Sequence, residues 1–149
     1  MSEQRLKLTR DDFEEWLFSL PDKQQEFRTL FLDKTGIKLD YSISALDDIE
    51  AWLLASFEKK EDLLKEDNKH LLDLIVGYVG EIFRENLNAK WGIDLENEKN
   101  AYFRLPIIMN DQMSVPVAPH TLVTASIGRK KGNFISTVLK NTIKNLNNH

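Results

Sequence analysis

The chain has no cysteine, which excludes disulfides, thiolate metal sites and a cysteine nucleophile. That absence fits a reducing compartment. No stretch approaches the roughly 18 consecutive apolar residues of a membrane span. The opening MSEQRLKLTRDD lacks the apolar core of a secretory signal. A cytoplasmic protein without a membrane partner is the expectation. Histidine is also scarce. His70 and Asp73 share helical spacing, but two ligands are too few for a metal, and His149 is terminal. His120 follows Pro119 at the start of an expected helix. There is no nucleophile elbow and no zinc helix motif, and Ser42, Ser44, Ser126 and Ser136 have no base implied beside them. Neither a metal nor a cofactor is expected.

Acid is missing from one region. After Asp111 there is no aspartate or glutamate, while Arg129, Lys130 and Lys131 stand together. Residues 1–75 carry 18 acidic and 11 basic side chains, net −7, and residues 76–149 carry 6 and 9, net +3. The simplest account is that the halves partly neutralise each other, or that the basic turn is solvated. A nucleic-acid footprint needs a larger basic surface interleaved with aromatics, so nucleic acid is an unlikely partner.

What is present suits one globular domain over residues 1–149, fraying from about 145. The hydrophobic share is 42% and the charged share 30%, enough to build a core at this length. Thr9 and Asp12 have capping-box spacing ahead of Phe13, Trp16, Leu17 and Leu20. Pro21 and Asp22 are expected to break that helix and start a second one, with Phe27, Leu30 and Phe31 inward and Gly36 as C-cap. IKLDYSI alternates apolar and polar residues, predicting an extended segment or brief strand. Ser44 and Asp47 offer a second capping box for a helix burying Leu46, Ile49, Leu53 and Phe57, with Trp52 on its flank. FEKKEDLLKEDNKH reads as an exposed connection with a single helical turn.

The longest helix is predicted from about Asn68 to Leu87, apolar over more than half its circumference, and ended by Asn86 or Asn88. KWGIDL and NAYFRLPIIM predict two strands joined by a polar ENEK turn, with Pro106 at an edge or strand end and SVPVAP as a third extended piece. Pro119 opens a helix through Ile127, and a last helix follows GRKKGN. The fold class is α+β, helix-rich, with a central buried helix, a small antiparallel hairpin laid on it, and Trp16, Trp52 and Trp91 largely inside.

Two glycines, Gly77 and Gly80, lie inside the long helix. A phosphate cradle needs glycines between a strand and a helix start, so that free amides point at the anion. These follow one apolar helical turn and precede another, and the third glycine of a dinucleotide fingerprint is missing. Each costs about 1 kcal/mol against alanine, so a packing notch that lets neighbouring main chain approach is the favoured reading. Tyr78 and Trp91 belong to the same packing set. Glu81, four residues after Gly77, is expected to be partly buried and paired with Arg84 or Arg104. A catalytic carboxylate is the sharper alternative, and it requires a second group such as Asp94 or His120 and a cleft.

With these segments placed, the chain resembles a broad group of uncharacterised bacterial proteins. The shared pieces are Leu39-Asp40-Tyr41-Ser42, Ala45-Leu46, Tyr78-Val79-Gly80-Glu81, Trp91 entering a hairpin, and Pro119 to Val123. The resemblance spans residues 36–130. It departs at Ala45, where serine is frequent in the group, and at Asn88, where glycine is frequent. It implies a small intracellular domain without an assigned reaction, and some members resemble immunity proteins that neutralise toxins of neighbouring bacteria. A non-catalytic protein-interaction domain follows as the first expectation, its acidic half meeting a basic toxin-like partner. A small-ligand protein or enzyme using Glu81, Arg104 and His120 is the second. Arg84 and Arg129 complete the possible ligand or partner contacts.

Overall fold

The computed structural model describes residues 8–147 of the chain. Within them, α1 (Arg10–Thr35), α2 (Ile43–Ser56), α3 (Lys60–Leu63), α4 (Lys69–Leu87), α5 (Pro119–Arg129) and α6 (Phe134–Asn147) surround one contiguous core, and β1 (Lys90–Ile93) pairs antiparallel with β2 (Pro106–Met109). The class is helix-rich α+β, as the sequence predicts.

The capping box forms at the start of α1: Asp12 N donates to Thr9 Oγ1, and Thr9 N donates to the Asp12 carboxylate, both at 3.2 Å. Pro21, however, does not divide the segment. One helix continues through it to Thr35. Proline in a helix interior costs about 3 kcal/mol, but Phe13, Trp16 and Leu20 on one side and Phe27 and Phe31 on the other are all buried. Keeping both sets in the core requires a single rod. Pro21 itself is exposed, where water can reach the carbonyl it leaves unpaired. Gly36 ends the helix in the left-handed region at φ 75°.

Of the extended segment or brief strand expected at 37–43, no strand forms: residues 37–40 have no regular structure and 41–42 bend into α2. No neighbouring strand is there to pair with it, and Asp40 folds it into a turn by accepting from the Ser42 amide (3.0 Å) and hydroxyl (2.6 Å). The Ser44–Asp47 capping box does not form either, because α2 begins at Ile43 and Asp47 accepts from the Ser136 hydroxyl at 2.6 Å instead. Leu46, Ile49 and Leu53 are buried, while Phe57 lies just past the helix and is half-buried. The charged connection contains two short helical turns rather than one, α3 and a 3-10 turn at Glu66–Asn68, and it is not wholly exposed: Leu63 is 0% exposed and joins the core.

α4 is the most enclosed helix, with Leu72, Leu74, Ile75, Val76, Tyr78, Val79, Ile82 and Phe83 all buried. Asn88 ends it at φ 52°. Asn86 stays helical and donates to Ile82 O (2.8 Å) and Tyr41 O (3.1 Å). The hairpin strands are shorter than the pattern suggested. Residues 101–104 are turn, and Asp94 organises the connection by accepting from the Glu96 and Asn97 amides and from Asn100 Nδ2. Those bonds hold its carboxyl below the usual range. Pro106 starts β2, and Val117 adds a single bridge to Ile108. α5 opens on Pro119 as expected, and α6 stays helical through Asn147, beyond the expected fraying point. Among the described residues no helix is long and apolar enough to cross a membrane.

Candidate functional site

Asp73, Gly77 and Glu81 follow one another at four-residue steps along α4, with Gly80 beside them, so they share one face. Both glycines are buried within the helix, whose hydrogen-bond ladder occupies their amides. What fills the notch is side chain, not the main chain expected from the sequence. A Cβ at Gly80 would lie 2.0 and 2.7 Å from Cη2 and Cζ2 of Trp91 and 3.0 Å from Pro119 Cγ. A Cβ at Gly77 would lie 3.0 Å from Leu20 Cδ2, with Trp16 next nearest. The notch thus seats residues of the hairpin, of α1 and of the start of α5.

The carboxylates at its two ends hold the indoles. Trp16 Nε1 donates to Asp73 Oδ1 at 2.6 Å, and Lys23 Nζ lies 2.5 Å from Asp73 Oδ2. Trp91 Nε1 donates to Glu81 Oε1 at 3.2 Å, and Arg84 donates to Glu81 through Nε (2.9 and 3.0 Å) and Nη2 (2.5 Å). The bonds to Glu81 hold the Arg84 guanidinium above its usual pKa. The two indoles meet edge to face, centroids 4.8 Å apart. Trp16 is buried, and Trp52 and Trp91 are partly buried and packed against the core.

Of the two partners proposed for Glu81, Arg84 is the one observed. Arg104 sits in the hairpin connection at φ 63°, exposed, with its guanidinium against the Phe103 ring. His120, in the first turn of α5, lines a separate small depression with Lys60, Glu61 and Leu64. Asp94 is a turn residue, and Arg129 lies over the Phe134 ring at 4.7 Å. The structure therefore joins Glu81, Arg84, Trp91 and Gly80, and leaves Arg104 and Arg129 outside that cluster.

Two further polar clusters escaped the sequence reading. Tyr78 donates to Asp40 O at 2.8 Å, Tyr41 donates to Gln24 Oε1 at 2.9 Å, and Arg28 donates to the Tyr41 hydroxyl. The two rings stack with centroids 5.0 Å apart. Burial, with Tyr41 adding to it, pushes the Tyr78 hydroxyl up to about 12. This cluster pins the LDYS segment to α1 and α4. The second cluster centres on Glu50, 0% exposed, which accepts from the amides of Phe134 (3.0 Å) and Ile135 (2.8 Å). The N-terminus of α6, next to the basic turn, is thus already filled by a carboxylate. Lys130, in the left-handed region, donates through Nζ to Glu58 O.

The surface feature of most consequence is the outer side of α1. Between Asp11 and Asp33, Asp11, Asp12, Glu14, Glu15, Asp22, Glu26 and Asp33 are all exposed. The only cations in that span, Lys23 and Arg28, are half-buried and turned toward Asp73 and Tyr41. Every exposed charge there is negative. Where α1 meets the start of α4, a groove of about 840 Å³ is lined by Trp16, the Lys23–Asp73 pair, the acids Asp12, Glu15, Glu66 and Asp67, and also Lys69 and His70. The sequence shows the excess of acid but not that both cations face inward.

The chain matches no protein family, no curated protein and no solved structure in the comparisons made with each.

Proposed function

We propose that this chain is a non-catalytic protein-interaction domain whose partner is basic, and that it acts as an immunity-type inhibitor of the kind its sequence resemblance suggests. The observation that carries the reading is the acidic outer side of α1 between Asp11 and Asp33, where Lys23 and Arg28 turn inward and the exposed cations Arg10 and Lys34 stand only at the two ends of the helix. Individual exposed ion pairs contribute only about 0–1 kcal/mol. A surface of one sign acts collectively, raising the association rate with an oppositely charged partner and repelling like-charged ones.

The catalytic alternative built on Glu81, Arg104 and His120 has less support. Both Glu81 oxygens are engaged by Arg84, and Oε1 also by Trp91, while Arg104 stands apart on the hairpin connection. Nor does the basic turn present free helix amides to a phosphate, since Glu50 occupies those of α6.

The test is co-expression with the product of the gene adjacent to its own, followed by size-exclusion chromatography. A complex should form at low salt, weaken at about 1 M salt, where the screening length falls to about 3 Å, and be lost in a Glu14→Lys, Glu15→Lys, Asp22→Lys triple variant. A complex indifferent to both salt and charge reversal would remove the acidic surface from the account. A folded protein that binds neither this product nor any basic protein tested would remove the function itself.

A further inference from the structure

Among the exposed residues of α1 is one that neither folding nor solubility calls for. Phe18 is 90% exposed, the most exposed large hydrophobic side chain described. It lies four residues after Glu14, three after Glu15, three before Pro21 and four before Asp22, so these three carboxylates and the exposed Pro21 are its nearest neighbours on the helix surface. The ring thus stands among three carboxylates and one proline, on a 26-residue helix. Central aromatics ringed by polar groups commonly dominate protein interfaces. Phenylalanine also has few side-chain torsions to restrict on binding.

Resting on the reading above, we infer that Phe18 is the apolar anchor of this surface, and that the partner is a protein offering an apolar socket flanked by lysine or arginine. The acids around the ring decide among occupants. A second copy of this chain docking through the same patch would set Glu14, Glu15 and Asp22 against their own counterparts. Nucleic acids and anionic membranes are repelled by the same carboxylates. A basic protein gains from both parts of the patch, burying the ring while pairing with its surround.

Two synthetic peptides of equal length and equal lysine content test this. One carries leucines at helical spacing, so that it presents an apolar stripe between lysines. In the other, glutamine replaces every leucine. Binding is followed by fluorescence anisotropy, and the contact region by amide chemical shifts. The leucine peptide should bind at least about tenfold more tightly and shift amides over residues 14–22. Phe18→Ser should reduce its affinity by about tenfold, a change of about 1.4 kcal/mol, to the level of the glutamine peptide, with thermal unfolding unchanged. Equal affinity of Phe18→Ser and wild type for the leucine peptide, or shifts confined to other elements, overturns the anchor. If the Glu14→Lys, Glu15→Lys, Asp22→Lys variant then loses both peptides, the acidic surface stands without it. If that variant binds as well as wild type, or if neither peptide binds wild type at millimolar concentration, both inferences fall.

Discussion

Replacing each notch glycine by alanine should give very unequal results, and the contrast tests the account of α4. In either variant, alanine improves intrinsic helix propensity by about 1 kcal/mol. At Gly80 the new methyl would sit 2.0 Å from Trp91 Cη2 and 2.7 Å from Cζ2, distances no side chain tolerates. The indole must swing away, loosening its edge-to-face contact with Trp16 and its bond to Glu81. Those losses are about 1 kcal/mol each, and exposing part of the ring adds about 2 kcal/mol. After the propensity gain, Gly80→Ala should destabilise by about 3 kcal/mol, lowering the melting temperature by about 6–12 °C for a chain of this size. At Gly77 the nearest atom is the terminal methyl of Leu20, at 3.0 Å, and a small rotation relieves it. Gly77→Ala should lie within about 1 kcal/mol of wild type. Urea unfolding monitored by circular dichroism measures both. Adding Trp91→Leu should remove most of the penalty of Gly80→Ala, giving a coupling energy well above 1 kcal/mol. A Gly80→Ala protein as stable as wild type would refute the seating of Trp91 on this helix.

Three other substitutions probe separate features. Glu50→Gln removes the charge and one acceptor from the amides of Phe134 and Ile135, so it should cost about 2 kcal/mol and speed hydrogen exchange at both amides; unchanged exchange there would contradict the cap. Tyr78 holds its proton up to about 12 against about 10 when unfolded, so the native state is favoured fully below pH 10 and loses up to about 2 kcal/mol as pH rises toward 12. Tyr78→Phe should flatten that alkaline decline in urea titrations, and an identical slope in the variant would dismiss its cause. Pro21→Ala should stabilise by about 2 kcal/mol, since the helix already runs through an exposed position; a loss of stability would show that the proline is needed there.

The local signals of the chain were legible wherever one residue type decides the backbone. Thr9 with Asp12, Gly36, Asn88 and Pro119 each mark a helix boundary that the structure shows. Pro21 misled because its local preference is outweighed by buried rings on both sides, a tertiary effect that no window around the proline contains. The strand alternative for IKLDYSI failed for another reason, since alternation predicts a strand only if a partner strand lies alongside. The long polar contacts were illegible for a related reason: Asp73 and Trp16 are 57 residues apart in sequence. Some signal was nevertheless there. Asp73, Gly77 and Glu81 repeat at a four-residue step, and Glu50 falls between Ile49 and Leu53 on the apolar stripe of α2, where a carboxylate must find donors. The acidic excess of the first half could be counted, but the inward turn of Lys23 and Arg28, which defines the proposed interface, depends on where α4 and Tyr41 come to rest.

The cap on α6 also sets an order of assembly. Its acceptor comes from 84 and 85 positions earlier in the chain, so α2 must be in place before the last helix can be closed at its beginning. During synthesis, Glu50 emerges from the ribosome long before the amides that receive it, and it can be buried only when α6 arrives. The cap can therefore form only once residues 134 and 135 have been made.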